Sequence, residues 1–312
     1  MRTKVMAAVL ALTVVLGGCG ADAAEPGPSG AVGTVRLAIN PWVGYEANAA
    51  VLAYLLKEEL GYQVTTTKLD ESSSWGKFAT GEIDVVMENW DHPELRKEFI
   101  QQKRVALSAG LTGNKGVIGW YVPQWMADRY PDITDWRNLN KYAHLFKTDK
   151  SGDAGQFLAG DPTYVTNDET LVRNLHLDYK VVYAGSEEAL IRAAKDATKN
   201  RRPLLMYLYE PQWVFSQIEL ARVNLPPYAI GCDAVPAKVA CDYPPYLLDK
   251  IVSKKFADTG GKAYELVRNF TWTNDQQNAV ASDIASKGMS AEQAAKKWVE
   301  ANKIVWKDWL PK

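Results

Sequence analysis

Val35-Arg36-Leu37-Ala38-Ile39-Asn40-Pro41 opens the pattern that decides the fold. Five residues suited to a short strand end at an Asn-Pro break. From Glu46 to Leu60 the apolar residues Val51, Leu52, Leu55 and Leu56 then fall at helical spacing, and Gly61 follows as a helix-ending glycine. A second strand-like run covers Tyr62 to Leu69. Ser72-Ser73-Ser74 offers helix caps for a short helix that stops at Gly81, and Asp84 to Glu88 reads as the next strand. Pro93 to Gln102 and Pro123 to Tyr130 read as helices, with Gly116 to Val122 as a strand between them. Further strands are read at Phe157-Leu158-Ala159, Tyr179 to Tyr183 and Pro203 to Tyr209. Ser186 caps a helix reaching about Asn200, and Thr273-x-x-Gln276 and Ser290-x-x-Gln293 have the form of capping boxes. Strands alternating with helices predict an α/β protein with largely parallel sheets.

Ligands of such sheets bind beyond the carboxyl ends of the strands. Four aromatic residues stand at such ends: Trp42 after the first strand, Trp90 after Glu88, Tyr164 after Ala159, and Tyr209 after Leu208. Any one of them reads as a packing residue; together they point to one aromatic site. A quaternary ammonium group donates no N–H hydrogen bond, and the negative faces of aromatic rings can take the place of water around it, at roughly 0.5–2 kcal/mol per contact. A ligand carboxylate would suit a helix N-terminus, either at the Gly44-Tyr45-Glu46 turn or in Pro162 to Asp168.

Composition narrows the classes. The chain has 312 residues, 47% of them hydrophobic and 23% charged, with 11 Trp and 15 Tyr. That is the make-up of a folded globule. Its 36 Lys+Arg nearly balance 37 Asp+Glu, which provides no basic face for nucleic acid. Three His and three Cys argue against a metal cluster built on those ligands, and no cofactor is expected. Met1 to Gly18 reads as a signal peptide, with a positive start and an apolar run to Leu16. Leu16-Gly17-Gly18-Cys19 has the form of a lipobox, so residues 1–18 are expected to be removed and Cys19 acylated. Residues 19–33, rich in Gly, Ala and Pro, read as a flexible tether. The expected location is outside the cytoplasm, anchored to the membrane by lipid. There, Cys232 and Cys241 are most simply a disulfide.

The run Asn40-Pro41-Trp42-Val43-Gly44-Tyr45, then Gly81-Glu82-Ile83-Asp84 with Glu88-Asn89-Trp90, and finally Tyr209-Glu210-Pro211-Gln212-Trp213 resembles the substrate-binding proteins of glycine betaine/proline/choline ABC transporters. That resemblance covers the chain from about Thr34. It implies a two-lobed periplasmic-binding-protein fold of type II, with ligand in the cleft between lobes. Lobe one would be 34–116 plus 248–312 and lobe two 117–247, with crossovers at Val117 to Tyr121 and at Tyr246 to Ser253. It implies a monomeric receptor that hands its ligand to a permease and its ATPase. Trp42, Trp90, Tyr121, Tyr164 and Tyr209 match cage positions, and Trp213 a packing position. Gln212 replaces a His or Tyr that can bond a ligand carboxylate. Glu46, Glu88 and Glu210 either turn to solvent or, facing the ligand, favour a pure cation over a zwitterion. The expected function is capture of glycine betaine, with choline or carnitine as alternatives and no catalysis. An extracellular glycan hydrolase is the reading from another class, drawing on Glu88, Asp91, Asp161 and Glu210 as paired carboxylates. No Gly-x-Ser-x-Gly elbow or HExxH motif is present.

Overall fold

The computed structural model describes residues 32–312. The leader at 1–18, Cys19 and most of the tether lie outside the described residues. Among the described residues there are nine strands: β1 (Thr34–Ile39), β2 (Gln63–Lys68), β3 (Val85–Asn89), β4 (Ala106–Pro123), β5 (Gly155–Ala159), β6 (Tyr179–Tyr183), β7 (Leu205–Glu210), β8 (Leu220–Val223) and β9 (Tyr246–Ser253). Their order is β2-β1-β3-β9-β4-β7-β5-β6, with β8 also paired to β4. The β2-β1-β3 and β6-β5-β7 groups are parallel, and β9 and β4 cross between them antiparallel.

The burial of each strand follows its place. β3 lies between β1 and β9 and is buried at every residue, as its Val85-Val86-Met87 run suits. β2 is an edge strand whose threonines and Lys68 face water. β4 is much longer than the Gly116–Val122 read from sequence. Its first part pairs with β9 and its last part with β7 and β8, so one strand belongs to both halves of the sheet. This is the two-lobed, type II α/β architecture.

Helix α1 (Val43–Glu58) starts three residues earlier than its apolar spacing suggested. Gly44-Tyr45-Glu46 is therefore its first turn rather than a turn leading into it. Helix α2 (Glu71–Thr80) is capped by Asp70, whose carboxylate accepts from the Ser73 N–H, and not by Ser72, Ser73 or Ser74. Gly81 closes it in the left-handed conformation (φ 71°). The Pro93–Gln102 helix is a short turn, Pro93–Leu95, running into π-helix at Arg96–Gln102. Both capping boxes, Thr273/Gln276 and Ser290/Gln293, are formed. They open helices Asn274–Ala285 and Ala291–Ala301, which pack on α1. Cys232 and Cys241 are joined in a disulfide. No helix among the described residues is long and apolar enough to cross a membrane.

Candidate functional site

The ends of β1 and β3 on one side, and of β5 and β7 on the other, converge on an aromatic cavity. It is lined by Trp42, Trp90 and Ile118, by Tyr164, Tyr207, Tyr209 and Tyr246, and by Glu71, His92 and Val165. Trp42 stands at the N-terminal boundary of α1, shortly past the end of β1, and is buried. Trp90 follows β3, edge-to-face with Tyr209 at 5.6 Å and with Tyr246 at 5.5 Å between centroids. Tyr164 stands edge-on to Trp42 at 5.8 Å and to Tyr209 at 6.4 Å. The rings leave one small cavity between the two halves of the sheet.

A buried carboxylate fastens the two indoles. Glu88 Oε1 accepts from Trp42 Nε1 and Trp90 Nε1, both at 2.9 Å. Its Oε2 accepts from Asn48 Nδ2 at 2.5 Å and from Gln277 Nε2 at 3.0 Å. Gly44 makes this possible, because a Cβ there would meet Gln277 Nε2 at 2.5 Å. Gly116 plays the same part for Trp90: an added Cβ would lie 2.6 Å from the ring's Cζ3. Gly116→Ala should therefore push the ring across the cavity and weaken ligand binding about tenfold, read by calorimetric titration. Unchanged affinity would show that the ring's seat has slack.

A second carboxylate joins the halves. Glu187, the first residue of the Glu187–Asn200 helix, accepts from the Val43 N–H at the start of α1 at 2.8 Å. It also takes the Tyr209 hydroxyl and Gln212 Nε2, the latter at 2.7 Å. Burial, the largest cause, raises its carboxyl above the ordinary range, opposed by these donors. The Tyr164 hydroxyl donates to the Pro41 carbonyl at 3.0 Å, a further bond across the cleft.

Of the residues singled out in the sequence, Trp42, Trp90, Tyr164 and Tyr209 come together. Tyr121 does not join them. Strand alternation puts it opposite Ile118, where it packs on Phe215 at 5.3 Å. Its neighbour Trp120 shares the Ile118 face, fully buried, and donates to Asp168 Oδ1 at 2.7 Å. Tyr45 lies in the core with its oxygen accepting from the Met87 N–H. Gln212 is buried on Glu187, and Glu210 is exposed. Glu46 lines the outer groove between the halves. The carboxylates considered for hydrolysis do not pair at the cavity: Glu88 is behind the rings, Asp91 and Glu210 are exposed, and Asp161 lines the outer groove.

Sequence reading missed Tyr207, Tyr246, Ile118 and Val165, and the pair Glu71–His92. Tyr207 lies two residues before Tyr209 on β7, hence on the same face, and that spacing was available. Glu71 and His92 meet at 2.9 Å, both nearly buried, across 21 residues that no local pattern connects.

Residues 33–301 match the family described as the substrate binding domain of ABC-type glycine betaine transport system. The chain belongs to this family. Members of this family are transport substrate-binding proteins rather than enzymes. Among relatives, the chain is 25% identical over 270 residues to the trimethylamine N-oxide-binding protein of Pelagibacter ubique (strain HTCC1062), covering 80% of this chain and 82% of that one. The lactococcal domain solved closed on glycine betaine superposes with a TM-score of 0.70 at 23% identity, covering 89% of this chain and 99% of that one. A choline-binding protein solved with choline gives a TM-score of 0.71 at 17% identity, covering 88% and 91%. At these identities the two structures speak for the shared fold alone.

Proposed function

We propose that this substrate-binding domain is an extracytoplasmic receptor, lipid-anchored at Cys19, that captures a small trimethylammonium-type solute and delivers it to an ABC permease and its ATPase. One observation carries the reading: rings from both halves, Trp42 and Trp90 with Tyr164, Tyr207 and Tyr209, line one small cavity, the surroundings that suit a trimethylammonium head. Residues 34–116 with 248–312 form one lobe, residues 117–247 the other, and a monomer closes by bending where β4 and β9 pass between them. The bonds from Val43 to Glu187 and from Tyr164 to Pro41 hold the closed form.

Glycine betaine is the first ligand in view of the family, with carnitine as a longer zwitterion. A second reading, choline or trimethylamine N-oxide, is favoured by the polar edge of the cavity. Glu71 would repel a ligand carboxylate, and such a carboxylate would have to draw His92 Nε2 away from it. A choline hydroxyl could donate to Glu71 directly. A small N-oxide oxygen suits the small cavity, in keeping with the Pelagibacter relative.

Calorimetric titration of the soluble domain from Thr34 with glycine betaine, choline and trimethylamine N-oxide tests both readings. Saturable binding of at least one, without turnover, is the expected outcome. Tightest binding of glycine betaine would favour the first reading, whereas tightest binding of choline or the N-oxide would favour the second. Silence with all three would remove the ligand class.

A further inference from the structure

Glu88 is not part of the cavity wall, yet both tryptophans of the wall are tied to it. It is 1% exposed, and its four donors, two indoles and two side-chain amides, are all uncharged. A buried carboxylate is ordinarily matched by a cation, because removing the charge from water is costly. Here the place left for a positive charge is the other side of the two rings.

We propose that Glu88 is the counter-charge of the cage, acting on a bound cation through the indoles of Trp42 and Trp90 and so selecting a cation over an uncharged molecule of the same shape. This rests on the cage reading above. An indole N–H bonded to an anion is polarised, leaving more electron density on the ring face, and cation–π attraction grows with that density. The anion itself lies in a poorly screened interior, so its field reaches the cavity. Glu88 is thus a positioning and tuning residue that need not touch the ligand.

The groups facing it bear on the same point. Tyr45 approaches from α1, Glu71 from α2 with His92 bonded to it, and the uncharged Gln277 from the Asn274–Ala285 helix. Burial, reinforced by Glu71, pushes the Glu88 carboxyl up to about 7 against the pull of its donors. Near neutral pH the empty cage therefore holds a proton on Glu88 part of the time. A cation favours the ionised form and expels that proton. Affinity for a cation should accordingly rise with pH through the range around 7, with proton release on binding.

The test uses the domain from Thr34, with choline and its uncharged carbon isostere 3,3-dimethylbutan-1-ol as probes. Titrations run across the pH range around 7 and in buffers of different ionisation enthalpy. In the wild type, choline affinity should climb with pH and choline should release protons, while the isostere does neither. Glu88→Gln should lose choline affinity by about tenfold or more and abolish the proton release, with a much smaller effect on the isostere. Equal losses for both probes would mean that Glu88 only props the rings, and would overturn the proposal. If the variant does not fold, a flat wild-type choline profile overturns it equally. A wild type that binds the isostere as tightly as choline also overturns it, leaving the cavity itself intact. Binding of no trimethylammonium probe at all would instead strike the cage reading beneath it.

Discussion

Trp90→Ala abolishes ligand capture: affinity for whichever trimethylammonium solute binds falls about 100-fold or more, while thermal unfolding stays cooperative. Trp90 comes from the first half of the sheet and touches two rings on the far wall, Tyr209 and Tyr246. Its loss removes one aromatic face, worth roughly 0.5–2 kcal/mol toward a desolvated cation. It also opens the cavity to water and withdraws one donor from Glu88. Together these reach roughly 3 kcal/mol, which corresponds to about two decades in affinity. The ring is only partly buried, so the fold should persist. Trp90→Phe, which keeps a ring and loses only the N–H, should fall in between. Calorimetric titration decides the matter, and wild-type affinity in the Ala variant would mean the cage is elsewhere.

Trp120→Ala acts on stability. The indole is fully buried, lies 4.4 Å from Phe157 between centroids, and donates to Asp168. Asp168 is itself buried, with the Tyr243 hydroxyl as a second donor to the same oxygen and no hydrogen-bond partner at Oδ2. Truncation leaves a cavity and weakens the support of a buried carboxylate, so a loss of about 3–5 kcal/mol is expected. Chemical denaturation with a linear fit measures it. A loss below about 1 kcal/mol would show that the surrounding core collapses onto the space. Trp120→Phe separates the two parts, since it keeps most of the packing and removes only the donor.

The alternation that opens at Val35 was enough for the α/β class, because β1 and α1 each carry their own period in the sequence. β4 was legible only in its second half for a physical reason. Its first half contains Gly110 and Gly113 at φ 92° and 90°, where the pairing with β9 shifts register. Bulges interrupt the two-residue period on which strand reading depends. The cap of α2 was misread because three serines competed with Asp70. Asp70 takes the Ser73 N–H and hydroxyl, while Ser74 turns inward to receive the Asn40 amide.

At the site, Trp42, Trp90, Tyr164 and Tyr209 were legible because each lies at or shortly past the carboxyl end of a strand. Tyr121, expected in the cage from the resemblance, turns away from it. Which of two neighbours faces the cleft depends on the strand's rotation, and Ile118 reveals that only in three dimensions. Glu187 follows the Ser186 cap as a first-turn acid and carries no local sign of its role. Its partner Val43 is 144 residues away, a pairing that no local pattern carries.

The shared strands also have a consequence for how the chain is made. β3 has β1 on one side and β9 on the other, yet β9 lies more than half the chain further on. The two helices that pack on α1 come later still. A chain synthesised and exported from its N-terminus therefore carries an unpaired, wholly apolar Val85-Val86-Met87 edge while the β5-β6-β7 half is already complete in sequence. β1, β2 and β3 have one another as partners as soon as they emerge, and only the outer edge of β3 waits for β9. Whatever escorts the nascent chain has to shield that edge until Ser253 has emerged.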